Sequence, residues 1–312
     1  MDAQRRRRFL RFVASSPLLA AHAQQKPLAD PKQAINVMDF EAAAREVLPP
    51  AHYGYLATGV DDDSTLRANR KAFEHWQLRP RRLVDVSKAD LSVEVFGVRW
   101  PHPIALAPVG SQKAFHPQGE LAVARAARAT NTLQILSTVT TVGVEEVKAA
   151  AGQLWYQLYP TSKWEYTERI VKRAEDAGCP VLVFTVDLPV GRNTETEARF
   201  KRQDSRPCTA CHLKNEKPFA RKPMFAPFDM QGVTVYNSTL TWNAVSLLKK
   251  LTRMKIVVKG IETHDDAQRC LEHGADGIIV SNHGGRAEAS GRGAIEWLPE
   301  VVSAVRGRVP VF

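Results

Sequence analysis

The sequence predicts an α/β barrel of the (β/α)8 kind preceded by a short helical region, and three observations carry that expectation. From Pro103 onward, short β-rich apolar runs alternate with helical patterns, the signature of parallel βαβ units. Polar residues stand at or just before the C-terminal end of successive strand candidates: Ser137, Gln157, Tyr159, Thr185, Asp187, Lys259 and His283. The chain has 312 residues, enough for one large barrel, which takes about 250. In an open doubly wound sheet the polar set would gather at one switch point. Spread over so many strands, it places a site on the C-terminal face of a barrel.

Taken in order, residues 1–23 read as an export signal. Arg6-Arg7-Arg8-Phe9-Leu10-Arg11 has the look of a twin-arginine leader. The apolar run Phe9 to Ala21 is too short for a membrane span, and Ala21-His22-Ala23 offers a small-x-small cleavage pattern. A mature chain would then begin near Gln24 in a bacterial periplasm; a plain basic tail is the alternative. Residues 24–35 are a polar linker with Pro27 and Pro31. Residues 36–74 read as three short helices, broken at Pro49-Pro50 and Gly59, with Asp61 to Ser64 as a helix start. Strand candidates follow at 103–109, 134–139, 154–159, 180–187, 256–260, 277–282 and 309–312. Helical patterns occupy 118–130, 143–150, 163–177, 242–252, 263–273 and 296–306. The segment 188–241 lacks periodicity and reads as a long functional loop after the fourth strand.

Composition narrows the classes. Apolar residues make up 44%, which supports a large core and excludes general disorder. The formal charge is +10, and without the first eleven residues, where five arginines face only Asp2, about +6 remains. That surplus favours small anions and does not call for nucleic acid. No G-x-G-x-x-G follows the first strand and no G-x-x-x-x-G-K-[ST] is present, which argues against a doubly wound nicotinamide enzyme or a P-loop.

The chemistry concentrates in Gly277-Ile278-Ile279-Val280-Ser281-Asn282-His283-Gly284-Gly285-Arg286. A buried strand delivers an imidazole to its tip, two glycines free the backbone, and a guanidinium follows. This pairs a proton acceptor with a carboxylate grip. Asp187, at the end of Val181 to Val186, needs a partner at a buried strand tip, and an imidazolium there would be stabilised by it. Lys259 can offset negative charge on a reduced ring. Tyr159 and Tyr55 are candidate phenol donors to a substrate, though tyrosines at such places also serve as packing.

Several motifs in matching order resemble the FMN-dependent 2-hydroxy-acid dehydrogenase and oxidase family, from about Ala34 to Phe312. They are Arg79 to Ser87, Ala107-Pro108 with His116-Pro117-Gln118-Gly119-Glu120, Gln157-Leu158-Tyr159, Thr185-Val186-Asp187, Val258-Lys259-Gly260 and Ser281 to Arg286. The resemblance implies oxidation of a 2-hydroxy acid to a 2-keto acid with FMN as cofactor. It makes His283 the active-site base, with Asp187 in support. Arg286 and Tyr55 would hold the substrate carboxylate, and Tyr159 would contact the hydroxyl side. Pro108, Val109, Ser137, Gln157, Thr185, Lys259 and Ser281 would line FMN. Members of this family tend to form homo-oligomers.

The sequence departs from the family pattern in three places. Val139 stands where glycolate oxidases carry tryptophan, and Ala107 to Gly110 with Leu136 to Val139 resemble the bacterial L-lactate dehydrogenase branch. That favours a lactate-like acid and an acceptor such as a cytochrome or quinone. Gly191-Arg192-Asn193 differs from the family's arginine pattern, so no role is carried there. The chain stops at Phe312, where the family continues into the segments that hold the FMN phosphate, so the expected barrel is incomplete and an inactive relative is the alternative reading.

Cys208-Thr209-Ala210-Cys211-His212 matches C-x-x-C-H, the pattern of covalent haem c attachment. Met224 or Met230 would be a second axial ligand, and a haem-carrying electron-transfer protein on a barrel scaffold is a further alternative. A local disulfide or a weak zinc site would use the same residues. Cys179 and Cys270 read as buried apolar side chains.

Overall fold

The computed structural model describes residues 28, 30–206, 219 and 221–312. Three helices come first: α1 (Asp39–Val47), α2 (Pro50–Ala57) and α3 (Ser64–Lys71). Pro50 at the first turn of α2 separates it from α1, since proline fits a helix start but not its interior. An antiparallel hairpin follows, β1 (Val93–Val95) and β2 (Val98–Trp100). Its two-residue turn, Phe96-Gly97, has φ of 50° and 76°, the left-handed pair that lets a tight hairpin keep the twist of its strands. The sequence reading had no hairpin here, because Phe-Gly is not a usual turn pair.

The alternating part then runs β3 (Ala105–Leu106), α4 (Glu120–Ala129), β4 (Leu133–Ser137), α5 (Val144–Ala150), β5 (Leu154–Leu158), α6 (Trp164–Asp176), β6 (Val181–Thr185), α7 (Glu195–Gln203), α8 (Asn243–Leu251), β7 (Lys255–Ile261), α9 (His264–Glu272), β8 (Gly277–Val280) and α10 (Ala294–Val305). Among the described residues the six strands β3 to β8 form one sheet in sequence order, with every pair parallel. The run 309–312 is held to β8 by the bridge Ile278↔Val311 and by Phe312 N–H donating to Ile278 O at 2.8 Å. This is the arc of a barrel.

Each inner strand buries both faces, and the two faces differ. Leu136, Tyr156, Leu182, Phe184, Ile256 and Val258 point outward against the helices. The alternate residues Leu133, Ile135, Trp155, Val181, Val183 and Val257 point into the arc at its N-terminal end. The hairpin plugs that end, where Trp100 and Phe312 pack on Trp155 with ring centroids 5.5 Å from it. Period-2 alternation then carries the inward set along each strand to Ser137, Gln157, Thr185, Lys259 and Ser281. The concave face is apolar at the bottom and polar at the C-terminal rim.

Two expectations need correction. The segment 188–241 is not one loop, because α7 lies within it. Its helix rests on i,i+4 ion pairs, Glu195 with Arg199 and Glu197 with Lys201, and it lacks the apolar stripe that would reveal it. The predicted strand 103–109 is regular only over β3, since Pro108 and the turn after it leave the ladder.

Candidate active site

The bond network starts at Asp187. Its carboxylate Oδ1 lies 2.8 Å from His283 Nδ1, and its Oδ2 is 3.6 Å from Lys259 Nζ. Asp187 can come this close to β7 because Gly260 has no side chain. A Cβ on Gly260 would sit 2.5 Å from that of Asp187, and its φ is +104°. The register shift between Lys259 and Ile261 marks a bulge there. On the far side of the ring, His283 Nε2 is 2.9 Å from the Tyr159 hydroxyl. An anionic Asp187 accepts a hydrogen bond from Nδ1–H, so Nε2 is the acceptor and Tyr159 donates to it.

The turn that carries His283 is wound left-handed at three successive residues, with φ of 59° at His283, 66° at Gly284 and 75° at Gly285. Asn282 anchors it. Its Oδ1 accepts from Gly285 N–H at 2.9 Å, and its amide exchanges hydrogen bonds with Asn69 of α3 at 2.9 and 3.0 Å. Gly285 permits α3 to approach, because a Cβ there would lie 2.4 Å from Leu66 N. Arg286 then turns back, donating from Nη2 to Leu56 O at the end of α2 and from Nη1 to Gly284 O at 3.1 Å. The same α2 carries Tyr55 into the site. It is fixed from behind by α7, where Phe200 meets Tyr53 edge-on at 5.1 Å and fills the space above Gly54.

Burial sets the protonation states. It pushes the His283 imidazole below its ordinary value against the pull of Asp187, so the ring is a neutral base at neutral pH. Burial also acts to raise the Asp187 carboxyl, but the His283 hydrogen bond and the Lys259 ammonium outweigh it and hold the group below the usual carboxylate range. Lys259 is drawn down by burial, with Asp187 opposing. Tyr159 is raised, first by burial and then by the Asp187 charge, and stays a proton donor.

These groups face a cavity of about 430 Å³, within the range of roughly 300–1,000 Å³ usual for small-ligand sites. Of the residues singled out from sequence, Tyr55, Pro108, Val109, Ser137, Tyr159, Lys259, Ser281, His283 and Arg286 line it. Asp187 stands behind His283. Gln157 and Thr185 are buried on the same face of the sheet, and their side chains bond each other, Nε2 donating to Oγ1 at 2.9 Å. Sequence reasoning missed Arg192, Lys222, Ser111 and Tyr236, which also line the cavity. All but Ser111 come from 188–241, where no periodicity marks a residue's position. Arg192 Nη1 is buried with no hydrogen-bond partner among the described residues.

Cys208, Cys211 and His212 lie outside the described residues. Met224 and Met230 are 0% and 1% exposed in the apolar core between sheet and helices. Both methionine side chains are thus packed away from solvent.

A flat ring with two carbonyls suits this cavity. Ala107 to Gly110 line one part of it, the Lys259 ammonium reaches the wall from β7, and Ser137 and Ser281 line it at the tips of β4 and β8. The residues present therefore fit the flavin ring of FMN, which Pro108, Val109, Ser137, Lys259 and Ser281 would hold, and Lys259 would supply a positive charge to it.

The comparisons agree with this geometry. The model of the FMN-dependent dehydrogenase family matches residues 44–312. The peroxisomal (S)-2-hydroxyacid oxidase GLO3 of Arabidopsis thaliana is 39% identical over 288 residues, covering 90% of this chain and 77% of that protein. The L-lactate oxidase of Lysinibacillus sphaericus is 38% identical and covers 88% and 73%. Among solved structures, a mandelate oxidase mutant with (S)-mandelic acid superposes with a TM-score of 0.78 at 36% identity, covering 89% of this chain and 77% of that one. A further mandelate oxidase mutant, with an FMN adduct, gives 0.76 at 37% identity over 88% and 76%. With its strand-tip histidine, carboxylate and arginine arranged around a flavin-sized cavity, this chain belongs to the FMN-dependent family of 2-hydroxy-acid oxidases and dehydrogenases.

Proposed function

We propose that this chain oxidises an L-2-hydroxy acid of lactate-like size to the 2-keto acid, with His283 as the base. The observation that carries the reading is the relay Asp187–His283–Tyr159, closed by bonds of 2.8 and 2.9 Å at the mouth of the cavity. Arg286 binds the substrate carboxylate through its fork of donors, with Arg192 and the Tyr55 hydroxyl beside it. Tyr159 donates to the substrate hydroxyl and fixes its direction. His283 Nε2 takes the proton that the substrate gives up, and Asp187 stabilises the imidazolium that results. FMN, when bound, would supply the oxidant, accepting the two electrons together with the second hydrogen that the substrate loses. Lys259 places a positive charge where the ring becomes negative. The leader-like residues 1–23 support a periplasmic location as part of the same proposal.

The test is the visible spectrum of the purified protein, taken anaerobically before and after L-lactate. Bleaching of the flavin bands on addition is expected. Soluble protein reconstituted with FMN that shows no bleaching with any short L-2-hydroxy acid would sink the reading. Readmitting air and assaying hydrogen peroxide then separates dioxygen from a cytochrome or quinone as acceptor. A sharp haem band after reduction would assign Cys208, Cys211 and His212 to a second centre.

A further inference from the structure

We propose that Asn69, on α3 and outside the sheet, is a positioning residue for the reaction, acting through Asn282 on the turn that carries His283 and Arg286. The inference rests on the reading above, in which His283 is the base and Arg286 the carboxylate grip, and adds the group that holds both in place. Asn69 and Asn282 are 213 positions apart, and their side-chain amides face each other. Asn69 Nδ2 donates to Asn282 Oδ1 at 2.9 Å, and Asn282 Nδ2 donates back to Asn69 Oδ1 at 3.0 Å. Backbone donors settle which atom of each amide is the oxygen. Gly285 N–H donates to Asn282 Oδ1 and Ala294 N–H to Asn69 Oδ1, both at 2.9 Å. The second proton of Asn282 Nδ2 goes to Arg292 O at 3.2 Å. Asn282, only 1% exposed, thus has both acceptor and both donor positions of its amide filled.

The turn needs such a hold. Glycine carries a positive φ freely, but His283, at +59°, does not. A non-glycine residue in that region stays there only where its surroundings over-determine it. Asn282 winds the turn from both of its oxygens. Its backbone O accepts from Gly285 and Arg286 N–H at 3.0 and 3.1 Å, and its Oδ1 shares the Gly285 proton. Among the described residues, Asn69 is the one side chain bonded to the Asn282 amide, and it ties that winding to a helix. Without Asn69, one donor and one acceptor of a buried amide lose their partners. The turn is then free to unwind and carry the imidazole away from Asp187 and Tyr159. A reacting group misplaced by about 1 Å can cost about 10²-fold in rate. Asn69 itself is not among the residues that line the cavity, so its effect passes through the turn.

The test uses the full-length holoenzyme well below its melting temperature and has two readouts. The first is anaerobic flavin reduction by L-lactate. The second is the NMR signal of His283 Nδ1–H in protein labelled with ¹⁵N-histidine, assigned by its absence in His283→Gln. In Asn69→Ala, kcat for flavin reduction should fall by about tenfold to a hundredfold, as His283 moves. KM should rise, as Arg286 moves with it. The Nδ1–H signal should broaden or exchange with water faster than in the wild type, because its bond to Asp187 is lost for part of the time. Asn69→Asp keeps the acceptor and loses the donor to Asn282 Oδ1. It should show the same changes, and it serves if Asn69→Ala does not fold. The NMR readout needs no turnover. If no 2-hydroxy acid reduces the wild-type flavin, the proposed function fails, whereas faster exchange at His283 in the variants still upholds the hold of Asn69 on the turn. An unchanged Nδ1–H signal overturns the proposal, whatever happens to the melting temperature. So does a kcat within about threefold of an active wild type.

Discussion

Replacing Asp187 by asparagine tests the relay at its most buried point. The carboxylate is 5% exposed and lies 2.8 Å from His283 Nδ1. Unit charges at that separation interact by about 6 kcal/mol at an effective dielectric near 20. Asparagine keeps a hydrogen bond to the ring and loses the charge, so about half of that, ~3 kcal/mol, is withdrawn from the imidazolium formed as the proton moves. At about 1.4 kcal/mol per decade the rate of flavin reduction should fall by about 10²-fold. The assay is stopped-flow anaerobic reduction at saturating L-2-hydroxy acid, as a function of pH. The rate needs neutral His283, so it rises with pH through that group's pKa, which burial sets below the ordinary imidazole value. Asp187 raises that pKa, so removing it should move the acid limb of the profile to lower pH. A loss of packing alone would lower the rate without moving the limb. Lys259 also loses its counter-ion, and breaking a buried pair costs about 3–5 kcal/mol of stability, so the melting temperature must fall as well. A reduction rate within about threefold of wild type, with an unmoved acid limb, would refute the assigned role.

Three further outcomes follow from the same geometry. Tyr159→Phe removes the donor 2.9 Å from His283 Nε2, and at about 1–1.5 kcal/mol for such a bond kcat/KM should drop by about tenfold; an unchanged value would remove Tyr159 from the site. Gly260→Ala places a Cβ 2.5 Å from that of Asp187 at a φ of +104°, so a loss of about 1–3 kcal/mol in urea unfolding is expected together with slower flavin reduction; wild-type stability would show that the bulge tolerates a side chain. Glu262 is pushed up to about 7, by burial first and then by the Glu288 and Asp187 charges. A carboxyl raised in the folded state stabilises the fold below its unfolded pKa and loses that contribution as pH rises toward 7. Glu262→Gln should therefore raise the melting temperature at pH 8 by a few degrees, about 2 °C, and leave it nearly unchanged at pH 4; a fall at pH 8 would reverse the sign.

The fold was legible because its signals are local. Helix and strand periods lie within ten or fifteen residues, and α4, α5, α6, α8 and α9 fall inside the ranges their patterns predict. The rim residues were legible because alternation in a strand fixes which side chains share a face. Ser137, Gln157, Thr185, Lys259 and Ser281 needed only their strands to be found. Phe96-Gly97 and α7 escaped, the first because the turn's φ values are borne by an unusual pair, the second because its helix is held by charge pairs and by Phe200 over Gly54.

What the sequence determined alone was the order of strands and helices, the polar C-terminal rim, and the His283–Arg286 turn with its two glycines. What only the tertiary structure decided was which rim residues touch. Asp187 and His283 are 96 positions apart, and Tyr159 and His283 are 124 apart. Their contact depends on the curvature of the sheet, the bulge at Gly260 and the left-handed winding at His283. Arg192 and Lys222 reach the cavity from a segment with no period at all, so their side-chain directions are set by what α7 and the loop pack against. Patterns of two and 3.6 residues assign a side chain to a face, whereas distances between strand tips follow from how the whole sheet closes.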